Sequence, residues 1–278
     1  MLSYRHGYHA GNHADVFKHW VLVQLIRALT QKDKPLFVME THAGAGRYDL
    51  QSEMALKNGE FRDGIGRLWG KMPEGLSFLD YSAALKSSNP AEILRWYPGS
   101  PRILRFFLRP SDRLLLSESH PRDHLRLARE FEGDAKVRVE HLDGYSLLKA
   151  VLPPKERRGL IHIDPSYERK DEVVRLVEAL KAGYRRFATG VYAVWYPLIG
   201  GGAGSDLPRR IEKAGLSKVL KAEIRLGCRD PRGLQGSGMI LINPPYPVET
   251  ILAEDLPRLA ARLKTDGPPS IELRWLNP

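Results

Sequence analysis

Three apolar runs in the middle of the chain end, one after another, on an acid. Leu114-Leu115-Leu116-Ser117 stops at Glu118, Val137-Arg138-Val139-Glu140-His141 reaches Asp143-Gly144, and Gly159-Leu160-Ile161-His162-Ile163 stops at Asp164-Pro165-Ser166-Tyr167. Short runs of this kind read as strands, while the stretches between them, such as Arg122 to Phe131, carry helical apolar spacing. Strands that alternate with helices call for parallel pairing through crossovers, which builds a doubly wound α/β sheet. Ligands of such sheets sit outside the carboxyl ends of the strands. Glu118, Asp143 and Asp164 are therefore expected along one ligand-binding edge.

A fourth run, Leu36-Phe37-Val38-Met39-Glu40-Thr41, enters the turn His42-Ala43-Gly44-Ala45-Gly46-Arg47-Tyr48. Glycines there let backbone approach a nucleotide closely, but Asp49 stands where a dinucleotide fingerprint has its third glycine. Residues from about 50 to 95 then break the alternation. Helix-compatible pieces, Gly64 to Trp69 and Ser82 to Leu85, are separated by Pro73, Gly75 and Asn89-Pro90. A structureless loop of that length is improbable in a compact domain, so an inserted helical subdomain is expected. Tyr97-Pro98-Gly99-Ser100-Pro101 predicts a turn in which Ser100 caps a helix and Pro101 takes its first position. Later strands are expected at Phe187 to Trp195, Val219 to Ile224, Met239 to Ile242 and Ile271 to Trp275. Gly200 to Gly204 reads as a flexible loop, since no Lys-Ser or Lys-Thr follows to make it a phosphate loop.

The amino-terminal stretch Tyr4 to Asp15 is rich in histidine, glycine and aromatics, and leads into a helical pattern from Val16 to Ile26. Tyr4, Arg5, His6 and Lys18 offer stacking and phosphate-pairing groups together. His9 and His13 stand four apart, but no cysteine and no H-E-x-x-H pattern completes a ligand set, so no metal is expected. Lysine and arginine outnumber the acids by 43 to 33, a formal charge of +10 that favours a polyanionic partner. Arg102, Arg105 and Arg109 recur at helical spacing and predict a basic stripe on one helix face, with Arg157 and Arg158 preceding the Gly159 strand. The single cysteine, Cys228, excludes an intrachain disulfide and fits a reducing cytosol. No apolar signal core opens the chain and no run has the length of a membrane span, so a cytoplasmic protein is expected.

Glu118, past the second strand, suits ribose hydroxyls, and Asp143, past the third, suits an adenine amino group. The fourth strand end separates S-adenosylmethionine from NAD. Asp164-Pro165-Ser166-Tyr167 resembles the D-P-P-Y motif of amino-group methyltransferases, with Ser166 in place of the second proline. An adenine amino lone pair is delocalised into the ring, so a site must accept both N–H hydrogens and draw the nitrogen toward a tetrahedral shape. The Asp164 carboxylate and the Pro165 carbonyl are suitable acceptors, and Tyr167 can stack on the base. Asn243-Pro244-Pro245-Tyr246 is an intact N-P-P-Y. Asp164 is preferred because it follows the glycine turn, Glu118 and Asp143 in the order of a consecutively wound sheet.

Nearly end to end, the chain resembles the RlmJ family of 23S ribosomal RNA adenine-N6 methyltransferases. The resemblance rests on Tyr4-Arg5-His6, His9 to Asp15 with Lys18-His19, Thr41 to Tyr48, Tyr97 to Pro101, Arg157 to Ile161, Arg186 to Gly190, Trp195-Tyr196-Pro197 and Ser237 to Ile240. It implies a single Rossmann-like S-adenosylmethionine-dependent methyltransferase domain over residues 1–278, with an amino-terminal arm over 1–30 and the insertion over about 50–95. It implies that His19, His42, Ser100, Glu118, Asp143, Gly144 and Asp164 contact the cofactor, S-adenosyl-L-methionine, and that Asp164 is the catalytic acceptor. Tyr4, His6, Lys18, Pro165 and Tyr167 are implied at the substrate base, Tyr4 as a mobile residue. The implied partner is 23S rRNA, free or in an early assembly particle, met by a monomer. Two other readings stay open. An NAD-dependent oxidoreductase would explain the glycine turn and Glu118 but not Asp164-Pro165 on a basic protein. A non-catalytic RNA-binding protein is compatible with Ser166. A DNA methyltransferase would have only the modest insertion with which to read a duplex.

Overall fold

Asn12 starts the first long helix, α1 (His13–Thr30), by accepting the Asp15 backbone N–H on its side chain. Such a cap satisfies one of the orphan donors of a helix end. No proline or glycine interrupts the run, and α1 is buried on almost every side, with Asp15, Lys18, His19 and Gln24 the polar side chains among its buried residues. It extends beyond the expected Val16 to Ile26 at both ends. The structure, a computed structural model, describes residues 4–200, 202, 204–226, 233–265 and 267–278. Cys228, Gly201 and Ala203 lie outside the described residues, and with them the readings that rested on the cysteine and on that part of the glycine loop.

β1 (Phe37–Glu40) leads into the glycine turn, where Gly44 and Gly46 take φ of 63° and 80°. The chain then leaves the main sheet through β2 (Arg47–Asp49), α2 (Glu53–Asn58), a 3-10 turn at Glu60–Arg62, α3 (Ile65–Leu68) and α4 (Leu76–Ser87). It returns along β3 (Trp96–Pro98), which pairs antiparallel with β2. Phe78, Tyr81 and Leu85 of α4 join the same apolar cluster as Trp20 and Ile26 of α1, and the Trp20 and Phe78 rings stack at 5.4 Å. The excursion thus packs on α1 and shares its core.

The rest alternates: α5 (Ser100–Phe107), β4 (Arg113–Ser117), α6 (Pro121–Glu130), β5 (Val137–Glu140), α7 (Gly144–Val151), β6 (Gly159–Ile163), α8 (Glu172–Arg186), β7 (Val191–Ile199), α9 (Leu207–Glu212), β8 (Val219–Arg225), β9 (Leu234–Ile242), α10 (Val248–Leu263) and β10 (Ser270–Asn277). The eight strands of the main sheet run in the order β10-β8-β9-β7-β6-β1-β4-β5. From β5 to β7 all neighbours are parallel, whereas β9, β8 and β10 add antiparallel pairs. This is a Rossmann-like, doubly wound α/β fold. Side chains alternate between two apolar layers, as the two-residue period of a strand requires. Val38, Leu160, Ala193 and Leu241 face α1, α4 and α10, while Met39, Ile161, Val194 and Ile240 face α7, α8 and α9.

Some expectations need correction. Gly99 is the cap of α5, with Ser100 first and Pro101 second in the helix. Glycine eases the close approach of this cap to the turn, since its N–H bonds to Gly46 O at 2.9 Å and a Cβ would sit a tight 3.1 Å from that oxygen. β7 begins at Val191 and not at Phe187, since Phe187 closes α8 and the chain turns at Gly190. The arginine stripe is no free basic face. Arg102 pairs with Glu130, Arg105 with Asp134, and Arg109, past the end of α5, with Asp112 and the carbonyls of Thr30, Lys32 and Lys34. Arg158 likewise donates to the Leu29 and Lys34 carbonyls, so these residues tie α5 and β6 to the end of α1.

Candidate active site

Beyond the carboxyl ends of β1, β4, β6 and β7 opens a cavity of about 1320 Å³, bounded on the far side by the residues leading into α1. The drug-sized pockets of proteins span roughly 300–1,000 Å³, so this one has room for more than a single small ligand. The two ends of the excursion meet there. Gly44 and Gly46 precede β2, Ser100 follows β3, and the β2–β3 pairing brings both to one wall. Tyr48 holds the turn, its hydroxyl accepting the Ala45 N–H at 3.0 Å.

Glu118 lies just past β4 and takes backbone N–H donors on both oxygens, from Gly44 at 2.7 Å and from His120 at 2.7 Å. Burial raises its carboxyl above the ordinary value, although those two donors oppose the shift. A carboxylate so placed keeps lone pairs for two hydroxyls, which fits a ribose. Asp143 caps α7 through the N–H and hydroxyl of Ser146, and its other oxygen meets Arg175 at 3.2 Å. Burial favours the neutral acid, but Ser146 and Arg175 outweigh it and hold Asp143 below its usual value. His42 packs edge-on against Tyr145, and burial drives its pKa down to about 4. His19 meets the Tyr97 hydroxyl at 2.7 Å, and burial takes its pKa to about 3, so both rings are neutral at physiological pH.

Asp164 follows β6 and accepts the Lys18 ammonium at 2.5 Å. Burial alone would raise its pKa, yet Lys18, with His162 behind it, keeps the carboxyl below the ordinary value. Lys18 also contacts Asp15 at 2.8 Å, and burial is outweighed there by the two carboxylates, which hold Lys18 charged. Asp15 in turn meets His6 Nε2 at 2.9 Å, and His6 Nδ1 lies 2.8 Å from the Tyr4 hydroxyl. The arm is pinned from the other side, where Glu60 binds His9 at 2.8 Å and Asn12 at 3.0 Å. Tyr167 has φ of 55°, a buried ring and a hydroxyl that donates to the Trp195 carbonyl at 2.6 Å.

Of the residues expected at the site, Tyr4, His6, Lys18, His19, His42, Ser100, Glu118, Asp143, Asp164, Pro165 and Tyr167 all line this one cavity. Gly144 does not. A Cβ there would sit 2.1 Å from Thr41 O, so its place is explained by the approach of α7 to the end of β1. Among the lining residues that the sequence did not place at the site, Trp195 and Asp15 bear on its chemistry. Trp195 looked like strand core, but its indole donates to Ser237 at 2.7 Å and Lys18 lies 5.2 Å over the ring. Asp15 is fully buried in the first turn of α1; its spacing of three from Lys18 was the available signal. The N-P-P-Y stretch is remote. Because β9 runs against β7, Asn243 emerges at the opposite edge, where its side chain bonds to the Ala188 and Gly190 carbonyls, each at 2.8 Å.

A family model described as "Ribosomal RNA large subunit methyltransferase D, RlmJ" matches residues 33–277. The chain belongs to this family. Two relatives, each named "Ribosomal RNA large subunit methyltransferase J", match over the full length of both chains. The one from Escherichia coli (strain K12) is 45% identical over 279 residues, and the one from Haemophilus influenzae (strain ATCC 51907 / DSM 11121 / KW20 / Rd) is 44% identical over 282. Among solved structures, the protein LPL1258 from Legionella pneumophila str. Philadelphia 1 is 40% identical. It aligns over 96% of this chain and 98% of its own with a TM-score of 0.89. Membership of the RlmJ family makes this cavity the candidate methyl-transfer site, and among the described residues no helix is long and apolar enough to cross a membrane.

Proposed function

We propose that the protein transfers a methyl group from S-adenosylmethionine to the N6 amino group of an adenine in 23S rRNA. The observation that carries this is Asp164, kept ionised by Lys18 beside Pro165 at the cavity edge of β6. An ionised carboxylate accepts an amino hydrogen but is a poor reservoir for a proton, which suits a group that orients a nucleophile.

The residues present fit the cofactor. Glu118 offers lone pairs to a ribose, His19 and His42 add neutral rings, and the close turn at Gly44 leaves backbone at the wall. When bound, S-adenosylmethionine supplies an electrophilic methyl on a sulfonium, so alignment accounts for much of the remaining catalysis. Asp164 and the Pro165 carbonyl take the two N–H hydrogens, Tyr167 and Trp195 wall the base, and Tyr4 with His6 closes the pocket from the arm. A target base held in a helix would first have to leave its stack. Unmodified 23S rRNA fragments incubated with labelled donor should yield N6-methyladenine on mass spectrometry, and Asp164→Ala should abolish it. Label transfer undiminished by that change would refute the assignment. Micromolar S-adenosylhomocysteine binding without NADH binding would separate this reading from a dinucleotide oxidoreductase.

A further inference from the structure

Methylating an amino group releases a proton, and Asp164 is badly placed to take it, because the adjacent Lys18 ammonium disfavours its protonation. A different acceptor is built into the same cavity. Tyr4, His6, Asp15, Lys18 and Asp164 form an unbroken series of contacts of 2.8, 2.9, 2.8 and 2.5 Å. Asp15 is its hinge. One carboxylate oxygen takes Lys18, and the other takes His6 Nε2 together with the Gly11 N–H at 2.8 Å, so each oxygen is engaged.

Resting on the function proposed above, we propose that Asp15 is a positioning residue that fixes His6 as its Nε2–H tautomer, making His6 the acceptor, through Tyr4, of the proton released from the methylated amino group. An ionised carboxylate can only accept, so His6 Nε2 must donate to Asp15, and in the neutral ring this leaves Nδ1 as a lone-pair acceptor facing the Tyr4 hydroxyl. Burial opposes ionisation of Asp15, but the Lys18 ammonium and the hydrogen bond from His6 hold its carboxyl well below the usual range. Burial and the nearby Asp15 and Asp164 charges raise the Tyr4 phenol, so Tyr4 acts as a relay that keeps a proton. As the N–C bond forms and the C–S bond breaks, the hydrogen that the amino nitrogen directs at Asp164 is not kept there, because Lys18 holds that carboxylate ionised, and it passes as a proton to the Tyr4 oxygen. The Tyr4 hydroxyl proton moves to His6 Nδ1, and the imidazolium so formed faces the Asp15 anion. His6 is about one-fifth exposed, which opens the last transfer to water. The groups around His6 are Tyr4 of the arm, whose ring stacks in turn on His9, Asp15 of α1 with Lys18 behind it, Tyr48 edge-on at 5.1 Å, and the charge of Asp164.

The test pairs spectroscopy with kinetics. In 15N-histidine-labelled protein, His6 should show the Nε2–H tautomer, and Asp15→Asn should reduce its share. Methyl transfer by Asp15→Asn should lose about 100-fold in kcat, within the usual range for general acid–base steps, while cofactor affinity stays within about three-fold. Tyr4→Phe cuts the same path, so the double variant should be no slower than the slower single variant. An Nδ1–H tautomer in the unaltered protein, or additive losses in the double variant, overturns the relay while leaving the proposed function standing. If Asp15→Asn does not fold, the tautomer of the unaltered protein and the Tyr4→Phe rate still decide. An unaltered protein that labels no adenine refutes both.

Discussion

At Ser166 the chain departs from D-P-P-Y, and its surroundings say what the departure changes. Among the described residues nothing accepts the Ser166 N–H, so a proline there would remove no hydrogen bond. The turn is held one residue later, by the positive φ of Tyr167 and its bond to the Trp195 carbonyl. Ser166→Pro should therefore leave the methylation rate within about two-fold and raise the melting temperature slightly, since a compatible proline stiffens mainly the unfolded chain. Tyr167→Phe should destabilise by about 1 kcal/mol and slow turnover, a pairing that denaturant titration and rate assays on one sample would check. His19 and His42 set the acid response. Their pKa values, near 3 and 4, lie below an unfolded histidine's 6.5, so the unfolded chain binds more protons between these limits. Stability from both is complete above about pH 6.5 and falls as pH drops toward 4. The urea midpoint should decline over that interval, and His42→Gln should flatten the decline. Asp164 and Glu118 were legible in the sequence because an acid ending an apolar run announces a strand edge. Asp15 was not, since its meaning comes from His6 and Lys18 converging on it in space.

Elements carry the next level of constraint. Gly144 opens α7 so close to Thr41 that any side chain must push the helix off the end of β1. Gly144→Ala should lower the melting temperature and weaken S-adenosylhomocysteine binding together, by ten-fold or more on an order-of-magnitude scale, because Asp143 moves with the helix. Ser146→Ala removes only a bond to Asp143 and should cost about 1 kcal/mol, leaving cofactor affinity nearly intact; melting curves and calorimetric titration of both variants separate the two effects. Strands β1, β4, β5 and β6 could be read from their apolar runs, and so could the helical character of the excursion. The β2–β3 ribbon could not. Arg47 to Asp49 and Trp96 to Pro98 are too short to look like strands, the first being polar at both ends and the second closing on a proline, and they pair where the excursion begins and ends.

For the molecule as a whole, a formal charge of +10 coexists with arginines consumed in internal ties, among them Arg102, Arg105, Arg109 and Arg158. Those guanidinium groups are already engaged within the chain, so the net charge stands but their hydrogen-bond donors are not free for a phosphate. RNA affinity should still fall steeply with salt as counterions are released, while cofactor affinity should hardly change. Filter binding and calorimetry over the same salt series would show it, and parallel slopes would contradict it. Composition pointed to the class of partner, but could not say which cations were already spoken for. Nor did apolar patterning reveal which way β8, β9 and β10 run, because a buried strand has the same pattern in either direction. That direction matters for the two look-alike tetrapeptides. Asp164-Pro165-Ser166-Tyr167 and Asn243-Pro244-Pro245-Tyr246 each follow a buried strand, and each differs from D-P-P-Y by a single letter. Strand polarity alone gives them different addresses: one opens into the cavity, and the other leaves Tyr246 91% exposed on the far rim. A motif in a wound sheet is thus spelled partly by an arrow that no alphabet of residues contains.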